Sequence, residues 1–347
     1  MPESPLNTNT LTSRWRTVRK LKSNLALVVM SCLLVLLAAS WRLAIAPALR
    51  VVATDVEKTY FYDSNFMSFA NPAGRPAAGR PAPLKTFIER AVLSLPLKST
   101  PNTALFEVES SLVVMDSLER LSTNKRIYAV DRRTAEMVRD RNADSAASGY
   151  HLFFPFNTPR SSVPFWSERT GRTYPADYQK SKAVYDVHTY VFSTKYRDQT
   201  TPEPPEGYPK SLSGAELKAM LSAPDLPVED SATVEPKYKA SGSCELLVEP
   251  RAGTIVRTNG KESASITVKD AAGAFIIERP LYNIEYSQTN SSVKDAASLA
   301  KDELAKIKLQ FEYIPVGLLV LGVLIFLIGA FAGVTRAMAT DVGRPPQ

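Results

Sequence analysis

The chain contains 347 residues, of which 44% are hydrophobic, and its formal net charge is +7. Five basic residues and one glutamate lie within the first 24 residues, so much of the excess positive charge sits at the N-terminus and the central region is close to neutral. This distribution excludes a basic nucleic-acid-binding surface, and the central region is long enough to form its own hydrophobic core.

The first predicted element is an apolar transmembrane helix at residues 25–49, which follows a basic tail at residues 1–24. Its length is sufficient to cross the hydrocarbon core of a bilayer. Ala44-Ile-Ala46 resembles a signal-peptide cleavage site, which is the alternative interpretation. The apolar run is longer than a typical signal-peptide core and Pro47 would follow the cut, which favours a retained anchor.

Residues 50–290 are predicted to form a β-rich domain, because short segments of alternating, β-branched or aromatic residues recur along them. Asn259-Gly260, between two such segments, is typical of a hairpin turn. A Pro/Gly/Ala-rich loop is expected at residues 69–83. The predicted strands are residues 49–56, 105–115, 126–130, 183–192, 244–249, 254–258, 263–269 and 274–286.

Three helices are predicted within or beside this domain, at residues 87–95, 213–221 and 292–312. The last has apolar residues at alternating spacings of three and four, which predicts an amphipathic stalk at residues 291–313 that packs on the β domain. A second transmembrane helix at residues 314–336 and a short tail at residues 337–347 complete the chain. The expected fold is mainly β with flanking helices (α+β), an elongated antiparallel β-barrel or sandwich between two transmembrane helices.

Charge next to the apolar segments predicts the orientation in the membrane. Basic residues close to a span remain in the cytoplasm, so both termini are expected inside and the β domain outside the cytoplasmic (inner) membrane. Cys32 lies in the first span and Cys244 in the β domain, so no disulfide within one chain is expected.

The most distinctive segment lies between Tyr150 and Tyr178, where eight aromatic residues are interleaved with arginines. One interpretation is a proline-punctuated connector whose rings plug one end of the β domain. The other is a ligand-binding wall, because rings contact acyl chains or sugar faces and arginines contact phosphates or carboxylates. The candidate apolar contacts are Phe153, Phe156, Phe165 and Trp166, and the candidate polar anchors are Arg160, Arg169 and Arg172.

Several motifs resemble the actinobacterial porin PorA family of two-span envelope proteins. They are Phe153-Phe-Pro-Phe156, Phe165-Trp166, Gly171-Arg-Thr-Tyr-Pro175, Tyr190-Val-Phe192 and Val248-Glu-Pro-Arg-Ala-Gly-Thr-Ile-Val256. The resemblance covers roughly residues 25–335 and implies a β-barrel-like exterior domain with lipid binding. One mycobacterial member is a lipoglycan biosynthesis protein implicated in maturing lipomannan to lipoarabinomannan, which implies a role in cell-envelope assembly.

Catalytic and metal-binding signatures are not evident in the sequence. The two histidines, His151 and His188, have no cysteine or second histidine at metal-ligand spacing. A nucleophile elbow, a Walker A loop and a dinucleotide fingerprint are also missing. We therefore expect no enzyme activity, no cofactor and no bound metal.

Three functions remain open at this stage. The favoured one is binding of a membrane lipid or lipoglycan intermediate, which predicts an apolar cavity in the β domain. The second is a scaffolding subunit that binds an envelope biosynthetic enzyme through its spans, where Gly329-Ala-Phe-Ala-Gly333 allows close helix approach. An oligomeric porin is the least favoured, because neither span carries a polar stripe that could line a pore.

Overall fold

The computed structural model describes residues 25–70, 83–144, 147–269 and 275–341. The chain divides into two compact units, one comprising Met1–Arg50 with Ala305–Gln347 and the other comprising Val51–Leu304. The predicted tail at residues 1–24 and most of the predicted loop at residues 69–83 lie outside the described residues.

The first unit contains two long apolar helices. They span Leu25–Leu49 and Ile314–Asp341, and only 11% and 17% of the residues in their most apolar windows are buried. A 25-residue helix is about 37 Å long, which exceeds the ~30 Å core of a bilayer. The helices are in contact, since Ser31 Oγ donates a hydrogen bond to the Gly322 carbonyl at 2.8 Å. The chain is therefore a membrane protein with two candidate membrane-spanning helices.

The second unit is built around a large antiparallel sheet. Ten strands pair in the order β4-β3-β2-β1-β12-β11-β10-β7-β6-β5, and β8 pairs with β9 separately. The prediction of a mainly β fold with flanking helices is confirmed. The strands are β1 Glu57–Ser68, β2 Leu84–Ser94, β3 Thr103–Val114, β4 Arg120–Asp131, β5 Val163–Ser167, β6 Arg172–Val184, β7 Val187–Thr200, β8 Leu212–Ser213, β9 Thr233–Val234, β10 Lys237–Glu249, β11 Thr254–Lys269 and β12 Phe275–Gln288.

The sheet does not close into the predicted β-barrel. Among the described residues, the edge strands β4 and β5 are connected only by isolated bridges, in which Met137 pairs with Val130 and Gly149, and Tyr150 with Phe165. The connecting segment turns sharply at Gly149, whose φ is +76°, so it does not run alongside either edge as a regular strand. The architecture is thus an open, curved sheet with one irregular seam.

The two faces of the sheet are packed differently. On the core face, Phe192 and Leu246 pack with Phe154, which is fully buried. On the opposite face, Val191 and Leu247 pack against one side of the helix Asn290–Lys308.

The amphipathic helix predicted before the second span is present and packs as its apolar spacing suggested. Val293, Ala297 and Ala300 are all 1% exposed or less, and they lie in one cluster with β-strand residues. A π-helical turn at Leu309–Tyr313 separates this helix from the apolar helix that begins at Ile314.

The short helix predicted at residues 213–221 is also confirmed as Gly214–Met220. Ser213 caps it, and its side chain and that of Glu216 exchange hydrogen bonds with backbone amides in a capping box.

Three local predictions were wrong, and in two of them pairing within the sheet prevailed over a local signal. Residues 87–95, predicted helical, belong to β2, where alternate residues face the core. Residues 49–56, predicted as a strand, are the end of the first helix and an irregular connection before β1. Asn259-Gly260, predicted as a hairpin turn, lies in the middle of β11 and is paired with both β10 and β12.

Candidate functional site

The four aromatic residues predicted to contact a ligand pack against the core of the β domain, where Trp166 is buried and the other three are half-buried. Phe153, Phe156 and Trp166 belong to one core cluster, in which the Phe153 ring lies 5.3 Å from that of Phe106. Phe165 belongs to a neighbouring cluster and lies 6.1 Å from Phe154. These rings fill the region next to the seam of the sheet and do not share one exposed surface.

The three predicted arginine anchors point to three different places. The exposed Arg160 donates to the Tyr190 hydroxyl at 3.1 Å and lies over its ring. Arg172 is also exposed and donates to the Gln199 side chain at 3.1 Å. Arg169 donates to Glu262 at 2.8 Å and is only partly exposed. The structure therefore does not bring the seven predicted residues together into one site.

A buried charge cluster, formed by Arg90, Tyr128, His151 and Glu168, lies among the aromatic residues. Glu168 Oε1 lies 2.8 Å from His151 Nε2, accepts from the Tyr128 hydroxyl at 2.8 Å and pairs with Arg90 at 3.3 Å. Burial acts to raise the pKa of the Glu168 carboxyl, but the charge of Arg90 and the contacts with His151 and Tyr128 hold it well below its usual range. Burial and the neighbouring Glu168 charge raise the pKa of Tyr128.

A second charge cluster repeats this arrangement further along the sheet. Glu262 accepts from Arg169 at 2.8 Å and from the Tyr282 hydroxyl at 2.8 Å, while the Tyr196 hydroxyl lies 3.3 Å from its other oxygen. Burial, followed by the Glu262 charge, raises the pKa of Tyr196 and Tyr282.

In both clusters a carboxylate is satisfied by an arginine and by tyrosine hydroxyls. This arrangement stabilises buried charge and fixes the packing of the strands that supply it. Among the described residues, no group of three or more histidine, cysteine or acidic side chains is placed to hold a metal ion.

A cavity of about 760 Å³ lies across the middle of the sheet. We call it the polar groove and define it by ten side chains on the face opposite the core, together with Met115 and five residues that lie between them. The ten are Asp63, Asn65, Lys85, Ser193, Ser243, Glu245, Asn259, Lys261, Glu285 and Ser287, and the five are Ser64, Thr86, Cys244, Gly260 and Tyr286.

The strand register explains why these polar side chains meet. Glu245 pairs with Ser193 and with Asn259, and Asn259 pairs with Ser287 in β12. Because paired residues in an antiparallel sheet project to the same side, they form a polar row across four strands. Hydrogen bonds connect the row, from Ser287 Oγ to Asn259 at 2.8 Å and from Asn259 to Glu245 at 3.4 Å.

A second polar row runs parallel to the first and is displaced from it by two residues on each strand that they share. Lys261 pairs with Ser243 and Glu285, and Asn65 pairs with Glu285 and Lys85. The two rows present hydroxyl, amide, carboxylate and ammonium groups over six neighbouring strands. The groove is therefore polar, in contrast to the apolar cavity that the sequence led us to expect.

Cys244, which lies between the groove residues Ser243 and Glu245, carries a partly buried thiol that packs on the core face of the sheet. Burial raises the pKa of the Cys244 thiol to about 12, while its contact with Tyr286 acts in the opposite direction. Both cysteines of the chain are free. A thiol with so high a pKa is protonated at neutral pH and is a poor nucleophile.

A smaller cavity of about 280 Å³ lies on the same face of the sheet. It contains Ser241 and Ser263, which are two residues before Ser243 and two residues after Lys261 in the same strands. Lys239 and Glu278 form an ion pair of 3.2 Å at its edge. Polar side chains therefore continue beyond the polar groove along the direction of the strands.

Sequence reasoning missed the groove because its residues come from six strands. The alternating polar residues Asn283, Glu285 and Ser287 were the available signal, since they mark one face of β12 as polar. That pattern alone does not reveal which other strands contribute.

Comparisons with known proteins place the chain in a family. The sequence model of the family Porin PorA matches residues 24–331. A search of curated proteins gave no match. A solved structure of an inactive mutant of CurJ dehydratase with a bound compound aligns with 76% of this chain and 83% of its own, at 11% identity and a TM-score of 0.09. The match over most of the sequence shows that the chain belongs to the Porin PorA family.

Proposed function

We propose that this membrane protein binds the sugar portion of an envelope lipoglycan in the polar groove and assists assembly of the cell envelope. The observation that carries the proposal is the pair of polar rows across the sheet, which offer many hydrogen-bonding groups in one cavity. Sugars present dense hydroxyl groups, which pair with amides, carboxylates and serine hydroxyls of this kind. The volume of about 760 Å³ lies within the range of small-ligand sites.

The charges of the groove favour a largely neutral ligand. Its acidic residues Asp63, Glu245 and Glu285 are interspersed with Lys85 and Lys261. A phosphate or carboxylate site would instead collect arginines and backbone amides. The glycan chain of a lipomannan-type lipoglycan fits this balance better than its phosphorylated lipid anchor does.

The membrane helices support the same role. We infer that both termini lie in the cytoplasm and that the β domain lies outside the cytoplasmic membrane, because basic residues precede the first span. A lipoglycan whose acyl chains remain in that membrane would then have its sugars beside the β domain. Binding, rather than catalysis, is the role we assign to the domain.

A scaffolding role through the membrane helices is the second candidate. Gly317 lies in the apolar helix Ile314–Asp341, and among the described residues no atom outside that helix lies within 4 Å of the position that a Cβ would occupy there. An open small residue in a membrane helix allows the close approach of another helix. A porin function remains disfavoured, because the apolar helices offer no polar lining for a pore.

The direct test is titration of deacylated lipomannan against the full-length protein in lipid nanodiscs. Asn65→Ala and Glu285→Ala, which remove exposed groove side chains, should each weaken binding about tenfold, since one charged or bidentate hydrogen bond contributes about 1.5 kcal/mol. Glu57→Gln is the matched control, because Glu57 is exposed on β1 outside the groove. Undiminished binding by both groove variants would overturn the assignment.

The aromatic and arginine residues predicted from the sequence are tested in the same titration. Arg160→Ala and Arg172→Ala change exposed side chains and should leave the fold intact. If either of them abolished binding while the groove variants did not, the ligand would bind along that segment and not in the polar groove.

A further inference from the structure

The turn between β2 and β3 holds a leucine away from the domain. Leu97 is the middle residue of the 3-10 turn Pro96–Lys98, and its exposed fraction is 102%. Leu93, at the end of β2, is 40% exposed. The tip of this turn therefore presents apolar side chains to the surroundings.

The turn is held in this shape by its own hydrogen bonds. The Ser99 hydroxyl donates to the Leu95 carbonyl at 2.9 Å, and the Leu105 amide donates to Ser99 Oγ at 3.0 Å. The Leu95 amide also donates to the Leu105 carbonyl at 2.8 Å. Leu97 is thus displayed by an ordered turn.

The position of the turn follows from the chain connection to the first apolar helix. That helix ends at Leu49, and Val52 is already part of the β-domain core. Three residues span at most about 11 Å. Arg132 donates to the carbonyls of both Val52, at 2.9 Å, and Pro101, at 3.3 Å, so the turn lies beside this connection.

The connection to the second apolar helix leaves from the same end of the sheet. Neighbouring strands between β2 and β6 are all antiparallel, which places the β6–β7 turn at the same end as the β2–β3 turn. Lys301 Nζ lies 3.7 Å from Asp186 in that turn, and Leu304 is the last residue of the unit. Both connections to the membrane helices therefore leave from the end of the sheet at which Leu97 is displayed.

We propose that this turn inserts Leu97 into the interfacial region of the bilayer and forms a third membrane contact besides the two helices. The partner of this turn is the lipid surface itself, because the two chain connections that lead to the membrane helices both leave the β domain from this end. Lys98, next to Leu97, is exposed and would lie at the level of the lipid headgroups, where long basic side chains are favoured. The contact would fix the orientation of the β domain relative to the membrane. This inference depends on the membrane helices and not on the ligand of the polar groove.

The test uses an environment-sensitive dye on the full-length protein in nanodiscs that contain anionic lipid. Cys32→Ala and Cys244→Ala provide a cysteine-free background, into which Leu97→Cys is introduced. Leu118→Cys is the matched control, because Leu118 is 69% exposed in the turn at the other end of β3. The 12 residues of β3 separate the two turns by about 40 Å.

A dye at position 97 should show blue-shifted emission and quenching by nitroxide-labelled lipids, whereas a dye at position 118 should show neither. Leu97→Asp should leave the thermal midpoint of the domain unchanged, since the side chain is exposed. A dye at position 97 that reports water and escapes quenching would overturn the proposal. Equal quenching at positions 97 and 118 would overturn it as well, because the contact would not be specific to this end.

Discussion

The ring of Tyr286 lies directly over Gly260 in the neighbouring strand. A Cβ at position 260 would lie 2.5 Å from the Tyr286 hydroxyl oxygen and 2.6 Å from the ring carbon that bears it. Tyr286 and Gly260 both line the polar groove. A glycine in the middle of β11 therefore leaves space for the half-buried Tyr286 ring to lie across the strand.

Gly260→Ala should destabilise the domain by about 1–3 kcal/mol, because the Tyr286 ring must shift within a packed environment. The measurement is the thermal midpoint of the full-length protein in detergent. Gly317→Ala is the control, since among the described residues no atom outside its helix lies within 4 Å of the corresponding Cβ position, and it should not lower the midpoint. An unchanged midpoint for Gly260→Ala would show that the ring is free to move.

Glu168→Gln should destabilise the domain by about 2–4 kcal/mol, because it leaves Arg90 without its charged partner inside the domain. Glu203→Gln removes an exposed carboxylate that pairs at 2.6 Å with Arg126, and it should leave the midpoint nearly unchanged. Urea unfolding of both variants makes the comparison. Equal effects would mean that the buried charge cluster stabilises the fold no more than a surface ion pair does.

Acid should destabilise the protein partly through Glu168. Its folded-state pKa lies below the ordinary value of 4.5, so its stabilising contribution is complete above about pH 5 and is lost as the pH falls through the folded-state pKa. Thermal midpoints measured from pH 6 downward should fall less steeply in Glu168→Gln than in the unchanged protein. Parallel curves would contradict the lowered pKa.

The Cys244 thiol should be unreactive in the folded protein. With a pKa of about 12 it stays protonated at pH 8. In a Cys32→Ser background, a maleimide should modify Cys244 slowly until denaturant is added, and then rapidly. Fast modification of the folded protein would show that the thiol is accessible to solvent and would contradict the raised pKa.

The elements with a continuous local pattern were predictable from the sequence. The helix Asn290–Lys308 has Val293, Ala297 and Ala300 on one side, and this stripe is the surface that packs. The short helix at Gly214 was marked by its serine cap. Two predicted strands, at residues 105–115 and 274–286, alternate as strands do, and their residues 105–114 and 275–286 belong to β3 and β12.

The elements that depend on distant partners were not predictable in this way. Asn259-Gly260 has the composition of a turn, but it lies inside β11. Gly260 pairs there with Tyr286 of β12, whose ring occupies the position that a Cβ would take. The buried charge cluster joins Arg90 and Glu168, which are far apart in sequence, so no local pattern reveals it. The aromatic segment was recognised as unusual, yet its composition did not distinguish core packing from a ligand surface.

The most direct test of glycan binding in the polar groove is native mass spectrometry of the intact protein, purified in mild detergent from its own membrane. We expect a lipoglycan to remain bound, and we expect the double variant Asn65→Ala/Glu285→Ala, purified in the same way, to lose it while staying folded. A protein that carries no lipoglycan, or a double variant that retains it undiminished, would contradict the account.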